Sequence, residues 1–382
     1  MAEALDFEDR QLSWTDRAVD IDRIEAELTK MRYIAADETD GSDGFAIRTS
    51  LVNMVVYAED EDTAAQTSRV IEELAGHHPS RALIIVATPT QDESRVDASL
   101  AAHWHLAPDM DQRVCCEEVT LHVSGRVAFH LHSLIVPLLI PDLPVVVWWT
   151  GAFPDDTHLI QEMCEVSDHL IIDSARFGDQ VGDLTRIGVL AELHRCGVGD
   201  LNYERMRPWC ELFEQYTESG ALAPWLNAVT SVEIRYADEW GRTTSGQAFL
   251  FLAWLAQQCG WDTRSVSANG SNRLTIRQDE RNIPAYMSAV GYEGVERGWL
   301  VSIKVAFEDN HGSAMFSMSR TGDPLHVTIR LELPEGVRED HVRIESCDSP
   351  TVLMHQLDVA PHSGEFVRLL AVANPLILAT RA

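Results

Sequence analysis

Apolar positions in the first half of the chain recur in two alternating patterns. Apolar runs at 51–57 (LVNMVVY) and 82–87 (ALIIVA) predict buried strands, and the intervening segment 62–76 has the spacing of an amphipathic helix. The same alternation continues with strands at 114–123, 145–149 and 169–172 and helices at 94–105, 126–139 and 157–166. Such alternation predicts an α/β fold, with an open, mostly parallel sheet covered by helices on both faces.

A helical arm is expected before this sheet. Apolar residues recur at helical spacing after a possible cap at Asp20, at Ile21, Ile24, Leu28 and Met31. The polar run 36–44 (ADETDGSDG) then indicates a linker. We therefore expect an arm and acidic linker over 1–45, an α/β domain over 46–190, and a second region over 191–382.

The second region begins with a helical connector and continues as an α+β domain. The connector follows from one apolar stripe, formed by Met206, Trp209, Cys210 and Phe213. Segment 248–256 is apolar on every side, which predicts a buried helix. Short alternating segments predict strands at 232–237, 273–278, 299–307, 313–319 and 325–333. A last helix, with Phe366, Leu369, Leu370 and Ala373 on one stripe, is expected to dock on that sheet.

The net charge limits the classes of partner that the protein is expected to bind, and the sequence predicts neither a membrane span nor a secretory signal. There are 30 Lys and Arg residues against 60 Asp and Glu residues, a net charge of −30, which opposes binding to nucleic acid or anionic membrane. Segment 133–153 is long enough to cross a bilayer but contains three prolines and Asp142, so we expect a buried helix and strand there. Segment 1–10 carries four acidic residues and predicts no secretory signal, and seven cysteines without paired spacing favour the reducing cytoplasm.

The common catalytic motifs are missing from the sequence. It has no phosphate-binding loop, no nucleophile elbow and no HExxH zinc motif, so we predict no catalytic residue and no cofactor. Histidines are paired at 77/78, 103/105 and 130/132, but no cysteine or carboxylate completes a ligand set at a recognised spacing. We accordingly predict no metal site.

Three segments nevertheless carry candidate functional side chains. Trp149, Thr150 and Gly151 end a strand, where open parallel sheets bind ligands, although core packing would equally explain the tryptophan. Segment 200–209 interleaves acids, arginines and aromatics, which suits a recognition surface or simply a capped amphipathic helix. The adjacent Cys115 and Cys116 could sense redox state or could be small buried hydrophobes.

Four motifs occur in order along the chain. They are His78-Pro79-Ser80-Arg81, Cys116-Glu117-Glu118-Val119, the proline-rich run 137–145 leading to Trp148-Trp149, and Asp200-Leu201-Asn202 followed by Arg205 and Trp209. Together they resemble the OpcA family of glucose-6-phosphate dehydrogenase assembly proteins, from about residue 48 to about residue 219. One position departs from the family pattern, because Cys210 stands where an arginine follows the tryptophan.

The resemblance implies a non-catalytic cytoplasmic partner of glucose-6-phosphate dehydrogenase, acting as an assembly factor or allosteric activator in the oxidative pentose phosphate pathway. The candidate partner-binding residues are His78, Arg81, Asp142, Trp149, Asp200, Asn202, Tyr203, Arg205 and Trp209. The candidate redox residues are Cys115, Cys116 and Cys210, which would imply a thioredoxin-type partner. The alternative is a sensor or enzyme with its own ligand, such as a sugar phosphate held by Arg81 or Arg205, and a scaffold for another partner is a third possibility.

Overall fold

The protein folds into two compact units. The computed structural model describes residues 12–39, 46–47, 50–89, 91–106, 113–194, 196–218, 220–241, 244–270, 272–278, 281–310, 312–345, 348–358 and 364–381. The first unit takes its described residues from Met1–Ile172, His194–Val198 and Leu353–His362. The second takes them from Asp173–Leu193, Gly199–Val352 and Ser363–Ala382.

Helices and strands alternate through residue 218, and strands dominate from residue 229 to residue 343. The helices are α1 (Ile21–Thr39), α2 (Glu61–Leu74), α3 (Leu131–Ile135), α4 (His158–Val166), α5 (Gln180–His194), α6 (Leu201–Glu218), α7 (Gly246–Gln258), α8 (Ser349–Asp358) and α9 (Glu365–Ala379). The first nine strands are β1 (Leu12–Asp16), β2 (Ala46–Ile47), β3 (Val52–Ala58), β4 (Ser80–Thr88), β5 (Arg95–Leu106), β6 (Arg113–Ser124), β7 (Val145–Trp149), β8 (His169–Ile172) and β9 (Gly197–Asp200). The other eight are β10 (Val229–Ala237), β11 (Val266–Ala268), β12 (Arg273–Gln278), β13 (Arg281–Val290), β14 (Leu300–Asp309), β15 (Gly312–Thr321), β16 (Asp323–Leu333) and β17 (Gly336–Arg343).

The first sheet has the order β1-β5-β6-β4-β3-β7-β8-β9, with β2 paired to β6. The pairs β6–β4, β4–β3, β3–β7 and β7–β8 are parallel, whereas β5 and β1 are added antiparallel at one edge. Strands β3, β4, β7 and β8 are buried almost throughout, which is why they are continuous apolar runs in the sequence. The predicted mostly parallel sheet is therefore confirmed.

The order of the central strands is that of a doubly wound sheet. When only the six strands of the run β6-β4-β3-β7-β8-β9 are numbered in chain order, so that β3 is strand 1 and β5 is left out, their order in the sheet is 3-2-1-4-5-6. In such sheets the direction of winding reverses between the first and fourth strands, here β3 and β7, and ligands bind at the carboxyl ends of that pair. The residues that follow Ala58 and Trp149 are therefore the first place to look for a site.

Two segments of the first unit differ from the sequence prediction. The helix expected over 94–105 is wrong, because β5 occupies Arg95–Leu106. Its alanines favour a helix, but alternate residues Ala98, Leu100 and Ala102 are the buried ones, and that period of two is typical of a strand. The single helix expected over 126–139 is broken into two short 3-10 turns around α3, and Pro137, which has no N–H to donate, lies in the second turn.

The arm helix is confirmed as α1, which begins directly after Asp20. The Asp20 side chain accepts a hydrogen bond from the Arg23 N–H, and Ile24 and Leu28 are buried within the first unit. The predicted linker begins inside α1, and its remainder, 40–44, lies outside the described residues.

The second sheet has the order β11-β12-β13-β10-β14-β15-β16-β17. All its pairs are antiparallel except β10–β13. The sequence predicted strands in the positions of β10, β12, β14, β15 and β16 but did not predict β11, β13 or β17. Pro284 lies inside β13 and weakened its strand pattern, and the residues of β17 are almost all exposed, so neither strand presented an apolar run.

Helix α7 forms the core of the second unit. Its residues from Gly246 to Ala256 are all buried, which confirms the helix expected from its uniformly apolar segment. Helix α9 packs on α7 and contacts the sheet at β11. Helix α6 also packs on α7, where the ring of Phe213 meets Trp254 edge-on. No helix within the described ranges is both long and apolar enough to cross a bilayer.

Candidate functional site

The start of β4 holds a buried arginine. Arg81 is 3 % exposed, and its Nε donates to the Glu117 carboxylate on β6 at 2.9 Å. Its Nη1 donates to the Leu138 carbonyl at 2.8 Å and lies 3.3 Å from a Glu25 carboxylate oxygen on α1. Because two carboxylates and a carbonyl already take up the guanidinium, Arg81 ties β4, β6 and α1 together within the first unit.

Two other motif residues of this unit reach its surface. His78 is half-buried, and its Nε2 lies 3.1 Å from a carboxylate oxygen of Asp358. Asp142 is exposed in the turn before β7, with φ at 64°, a left-handed conformation that aspartate tolerates better than most residues. The turn is held by the Asn53 side chain, which accepts from the Ile140 N–H at 2.8 Å and donates to the Ile140 carbonyl at 2.9 Å.

Trp149 is packed into the first unit at the carboxyl end of β7. It is 2 % exposed and lies flat against Tyr57 of β3, with ring centroids 4.0 Å apart and an interplanar angle of 6°. Its indole N–H donates to the Ala152 carbonyl at 3.1 Å. Thr150 and Gly151 are buried as well, and the Thr150 hydroxyl donates to the Tyr57 carbonyl at 2.8 Å.

An acidic side chain occupies the place where a doubly wound sheet receives a dinucleotide. The turn after β3 is Glu59-Asp60, followed by Glu61 and Asp62 at the start of α2, instead of the glycine-rich turn that approaches a pyrophosphate. Glu59 accepts the Ala152 N–H at 2.8 Å, and its side chain lies so close to Gly151 that a Cβ added there would be 2.7 Å from Glu59 Cγ. The point where winding reverses is thus lined by acidic side chains in place of glycines.

A network of buried polar groups surrounds the start of α6 in the second unit. Asp200 is fully buried, and its carboxylate accepts from the Ser174 N–H, the Ser174 hydroxyl and the Asn202 N–H at 2.9, 2.6 and 3.0 Å. Burial is the main cause that raises the pKa of Asp200 to about 7, against the lowering effect of these hydrogen bonds. Unlike an ordinary surface aspartate, this carboxyl group titrates near neutral pH.

The network extends from Asn202 into the second sheet. Asn202 donates to the Ser174 hydroxyl at 3.0 Å and accepts from the Gln247 amide at 2.9 Å. The Gln247 oxygen in turn accepts the Leu300 N–H of β14 at 2.9 Å. The side chains therefore fix α6, α7 and β14 against each other through polar contacts inside the unit.

The remaining candidates on α6 are buried in the same unit. Arg205 is bound by the Asp173 carboxylate, and the Tyr203 hydroxyl donates to Glu365 at 2.8 Å. Trp209 is fully buried, with the Arg320 guanidinium 5.2 Å from its ring centroid. The sequence placed these residues at one helix start, and the structure brings Asp200, Asn202 and Arg205 together there.

The candidate redox thiols are poorly placed for reaction. Burial raises the pKa of Cys116 to about 11 and raises the pKa of Cys210 well above its usual value, so neither is a thiolate near neutral pH. The side chain of Cys115 lies outside the described part of the chain. A pair that the sequence did not single out is in hydrogen-bond contact: Cys164 donates to Cys196, which lowers the pKa of Cys196 and raises that of Cys164.

The partners of these candidate residues were missed by sequence reasoning. Asp173, Ser174, Gln247, Glu59 and Tyr57 each lie outside the four motifs, and nothing in the apolar periodicity marks them. Asp173 and Glu59 do share one detectable feature, because each is an acidic residue directly after a buried strand. That position is where side chains of a parallel sheet converge.

Two family models match successive parts of the chain. One, described as the amino-terminal domain of a glucose-6-phosphate dehydrogenase subunit, matches residues 71–188. The other, described as the carboxy-terminal domain of such a protein, matches residues 196–363. Together they take in most of the chain.

Curated relatives with the same family name are found in cyanobacteria. A protein of Nostoc punctiforme, named as a candidate OxPP cycle protein OpcA, is 29% identical over 230 residues, which are 58% of this chain and 48% of that one. A protein of the same name from Synechocystis is 27% identical over 202 residues, 52% of this chain and 41% of that one. The chain spans about half the length of the curated relatives it matches.

Solved structures that resemble this chain are more distant in sequence than these relatives. An NAD-binding oxidoreductase from Klebsiella pneumoniae has a TM-score of 0.49 at 10% identity, covering 88% of this chain and 97% of that one. An oxidoreductase domain protein from Kribbella flavida has the same score and identity, covering 87% and 96%.

Proposed function

Given that the chain belongs to the OpcA family, we propose that it is a non-catalytic partner of glucose-6-phosphate dehydrogenase that promotes assembly of that enzyme's active oligomer. The observation that carries the proposal is the match to two successive family models, both described as domains of a glucose-6-phosphate dehydrogenase subunit. The relatives' names add a place in the OxPP cycle, which this dehydrogenase would share.

The acidic turn after β3 supports a role other than dinucleotide-dependent catalysis. Glu59 accepts the Ala152 N–H beside the stacked rings of Trp149 and Tyr57, at the carboxyl ends of β3 and β7. The four acidic residues at 59–62 would also repel a pyrophosphate, whereas a dinucleotide-binding turn offers glycine N–H groups to it.

The arginines considered for a sugar phosphate are already bound. Arg81 is held by Glu117 and Glu25, and Arg205 by Asp173. A phosphate would have to displace a buried carboxylate and leave it without a cation, which costs several kcal/mol, about 3–5 for a broken buried pair. This cost makes the ligand-sensing alternative the weaker of the two.

We assign the nine candidate residues two different parts in partner binding. Asp142, exposed, and His78, half-buried, are positioned to touch the dehydrogenase directly. Seven others are buried and would act by holding the shape of each unit; they are Arg81, Trp149, Asp200, Asn202, Tyr203, Arg205 and Trp209. With a net charge of −30, the surface as a whole would attract an arginine-rich face of the dehydrogenase.

Activation would arise from unequal affinity for two states of the dehydrogenase. A partner that binds the active oligomer more tightly than the inactive form shifts the population toward it by that difference in free energy. A shift from 1% to 99% active requires about 5.5 kcal/mol of differential binding. We also propose that the protein acts in the cytoplasm, a reducing compartment, in line with the free thiols of the described cysteines. A thioredoxin-type partner would act on a thiol that solvent reaches.

The decisive experiment combines light scattering after size exclusion with an NADPH-production assay. The dehydrogenase from the same organism is run alone and with the full chain, and each fraction is assayed. We expect a co-eluting complex with a larger dehydrogenase oligomer and a higher rate. A dehydrogenase whose mass, rate and substrate affinity are unchanged by the chain at micromolar concentration would overturn the proposal.

One matched pair of variants tests the contact surface. Asp142→Asn removes an exposed charge but keeps a residue that tolerates the left-handed conformation, and Asp92→Asn removes another exposed charge from the same unit. We expect weaker binding of the dehydrogenase, chiefly through slower association at low salt, for Asp142→Asn alone. Equal binding by both variants would remove Asp142 from the contact surface and leave the assembly role to the first experiment.

A further inference from the structure

Three side chains with metal-binding chemistry meet on the surface of the first unit, away from the residues discussed above. His158 and Glu162 lie one turn apart on α4, so their side chains share a face of the helix. His130 lies between a 3-10 turn and α3, where its N–H donates to the Val127 carbonyl at 3.0 Å and its carbonyl accepts from the Ser133 hydroxyl at 2.9 Å. The backbone at His130 is therefore held in place on both sides.

The distances within this cluster match a coordination shell. Glu162 Oε1 lies 3.7 Å from His130 Nδ1 and 3.5 Å from His158 Nε2. One ligand atom from each of the three residues can be chosen so that all lie within 4.8 Å of one another. Ligands at 2.0–2.2 Å from a tetrahedral ion are about 3.3–3.6 Å apart, so small side-chain rotations would close the cluster around a cation.

The second oxygen of Glu162 is an independent indication that a cation belongs there. The side chain is only 12% exposed, and Oε2 is buried without a hydrogen-bond partner among the described residues. A buried carboxylate oxygen that lacks a partner is costly, because that oxygen has lost its water without a hydrogen bond in exchange. A divalent cation on this carboxylate would offset that cost.

We propose that His130, His158 and Glu162 bind a divalent transition-metal ion of the Zn²⁺ type. Two imidazoles and one carboxylate form a ligand set that suits Zn²⁺, whereas Mg²⁺ and Ca²⁺ prefer oxygen ligands alone. The imidazoles are 69% and 55% exposed, so the fourth coordination position faces solvent and takes a water molecule or a side chain of another protein. The bound ion would link α4 to the residue that precedes α3.

The spacing in the sequence conceals this site. The sequence pairs His130 with His132, two residues away, but His132 is not part of the cluster. His158 and Glu162 have the i, i+4 spacing of helical metal ligands, yet they lie far along the chain from His130. Only the packing of α3 on α4 brings the third ligand to the other two.

The test uses the full chain, stripped of metal with a chelator and then titrated with Zn²⁺ against a chromophoric competitor. His130→Gln, His158→Gln and Glu162→Gln each remove one ligand, and His132→Gln is the matched control because it removes an exposed histidine two residues from His130. We expect wild type and His132→Gln to bind one equivalent more tightly than any cluster variant, by at least about tenfold. The visible d–d bands of bound Co²⁺ should follow the same order.

Two results would overturn the proposal. One is a wild-type affinity no greater than that of the three cluster variants, and the other is an equal loss of affinity in His132→Gln. The histidine variants alter exposed side chains and should fold normally, so a loss of binding in them reports the site itself. The measurement needs no dehydrogenase, and its outcome is therefore separate from the test of assembly.

Discussion

Arg205 and Asp173 form a two-pronged ion pair inside the second unit, with Nη1 and Nη2 donating to the two carboxylate oxygens at 2.7 and 2.9 Å. Both side chains are at most 10% exposed. Parallel hydrogen bonds between a guanidinium and a carboxylate fix the orientation of both groups, which a lysine could not do. The pair therefore holds the start of α6 to the segment that contains Asp173.

Removal of Arg205 should destabilise the second unit strongly. Arg205→Ala leaves the Asp173 carboxylate buried without its cation, and we expect a loss of about 3–5 kcal/mol in the free energy of unfolding. Urea denaturation followed by circular dichroism measures the change. Arg264→Ala, which breaks an exposed pair with Asp262, is the control and should leave the midpoint where it is; equal effects of the two substitutions would contradict the structural role of Arg205.

Asp200 should make stability depend on pH over an unusual range. Its pKa in the folded chain is raised to about 7, above the unfolded value near 4, so the folded state binds the proton more tightly. The stabilising effect of protonation is fully present below pH 4 and is lost as the pH rises through 7. Relative to Asp200→Asn, wild type should therefore weaken between pH 4 and 7, by at most about 1.4 kcal/mol per pH unit.

Urea unfolding of both proteins at a series of pH values checks this prediction. The isosteric amide keeps an acceptor for the Ser174 and Asn202 N–H groups, and its NH₂ can donate to the Ser174 hydroxyl. A difference in stability between the two proteins that stays constant from pH 4 to pH 8 would show that Asp200 does not titrate there.

Trp149 should behave as a core residue. Trp149→Ala removes the ring stacked on Tyr57 and leaves a cavity, which we expect to cost about 3–5 kcal/mol and to lower the thermal midpoint. Trp209→Ala should have a similar effect in the second unit, since that ring is fully buried. Trp240→Ala, at a ring 70% exposed, serves as the control in calorimetry, and a loss of stability there as large as that of Trp149→Ala would speak against the assignment.

The contact between Glu59 and Gly151 can be tested by a double-mutant cycle. Gly151→Ala places a Cβ against the Glu59 side chain, which must move and give up the Ala152 N–H. We expect a loss of about 1 kcal/mol, chiefly from the broken hydrogen bond, because the exposed Glu59 side chain can turn away from the new Cβ. In a Glu59→Ala background the same substitution should cost much less, whereas additive losses would mean that the two residues do not press on each other.

Three of the five free cysteines in the described ranges should differ in their rates of alkylation. Cys196, whose pKa is lowered by the Cys164 thiol, should react before Cys116 and Cys210, whose pKa values are raised by burial. Iodoacetamide labelling at neutral pH, quenched at intervals and mapped by peptide mass, gives the order. Early labelling of Cys116 or Cys210 would restore them as redox candidates.

Much of the first sheet could be predicted because its central strands are buried on both faces. Segments such as Val145–Trp149 and His169–Ile172 then appear as uninterrupted apolar runs, and their bounds were predicted to the residue. Strand β5, which lies between β6 and the edge strand β1, could not be predicted in the same way. Its residues from 95 to 102 are buried or half-buried and several are alanines, so the local preference for a helix competed with a pairing to β6 that only the folded chain makes.

The candidate site could be predicted only in part, for a different reason. Asp200, Asn202 and Arg205 were located because they lie close together in sequence at a helix start. Their partners come from distant segments: Ser174 is 26 residues from Asp200, and Gln247 is 45 residues from Asn202. Apolar periodicity reports which face of a helix is buried but carries no record of which buried polar groups satisfy each other.

The burial of α7 also bears on how the chain leaves the ribosome. Its apolar segment is synthesised long before α9, the helix that packs on it. Strand β10 is likewise synthesised before both strands that pair with it, β13 and β14, which follow α7 in the chain. Nascent chains halted between residues 258 and 300 should therefore expose an apolar helix and recruit chaperones. In a cell-free translation without chaperones, these chains should aggregate.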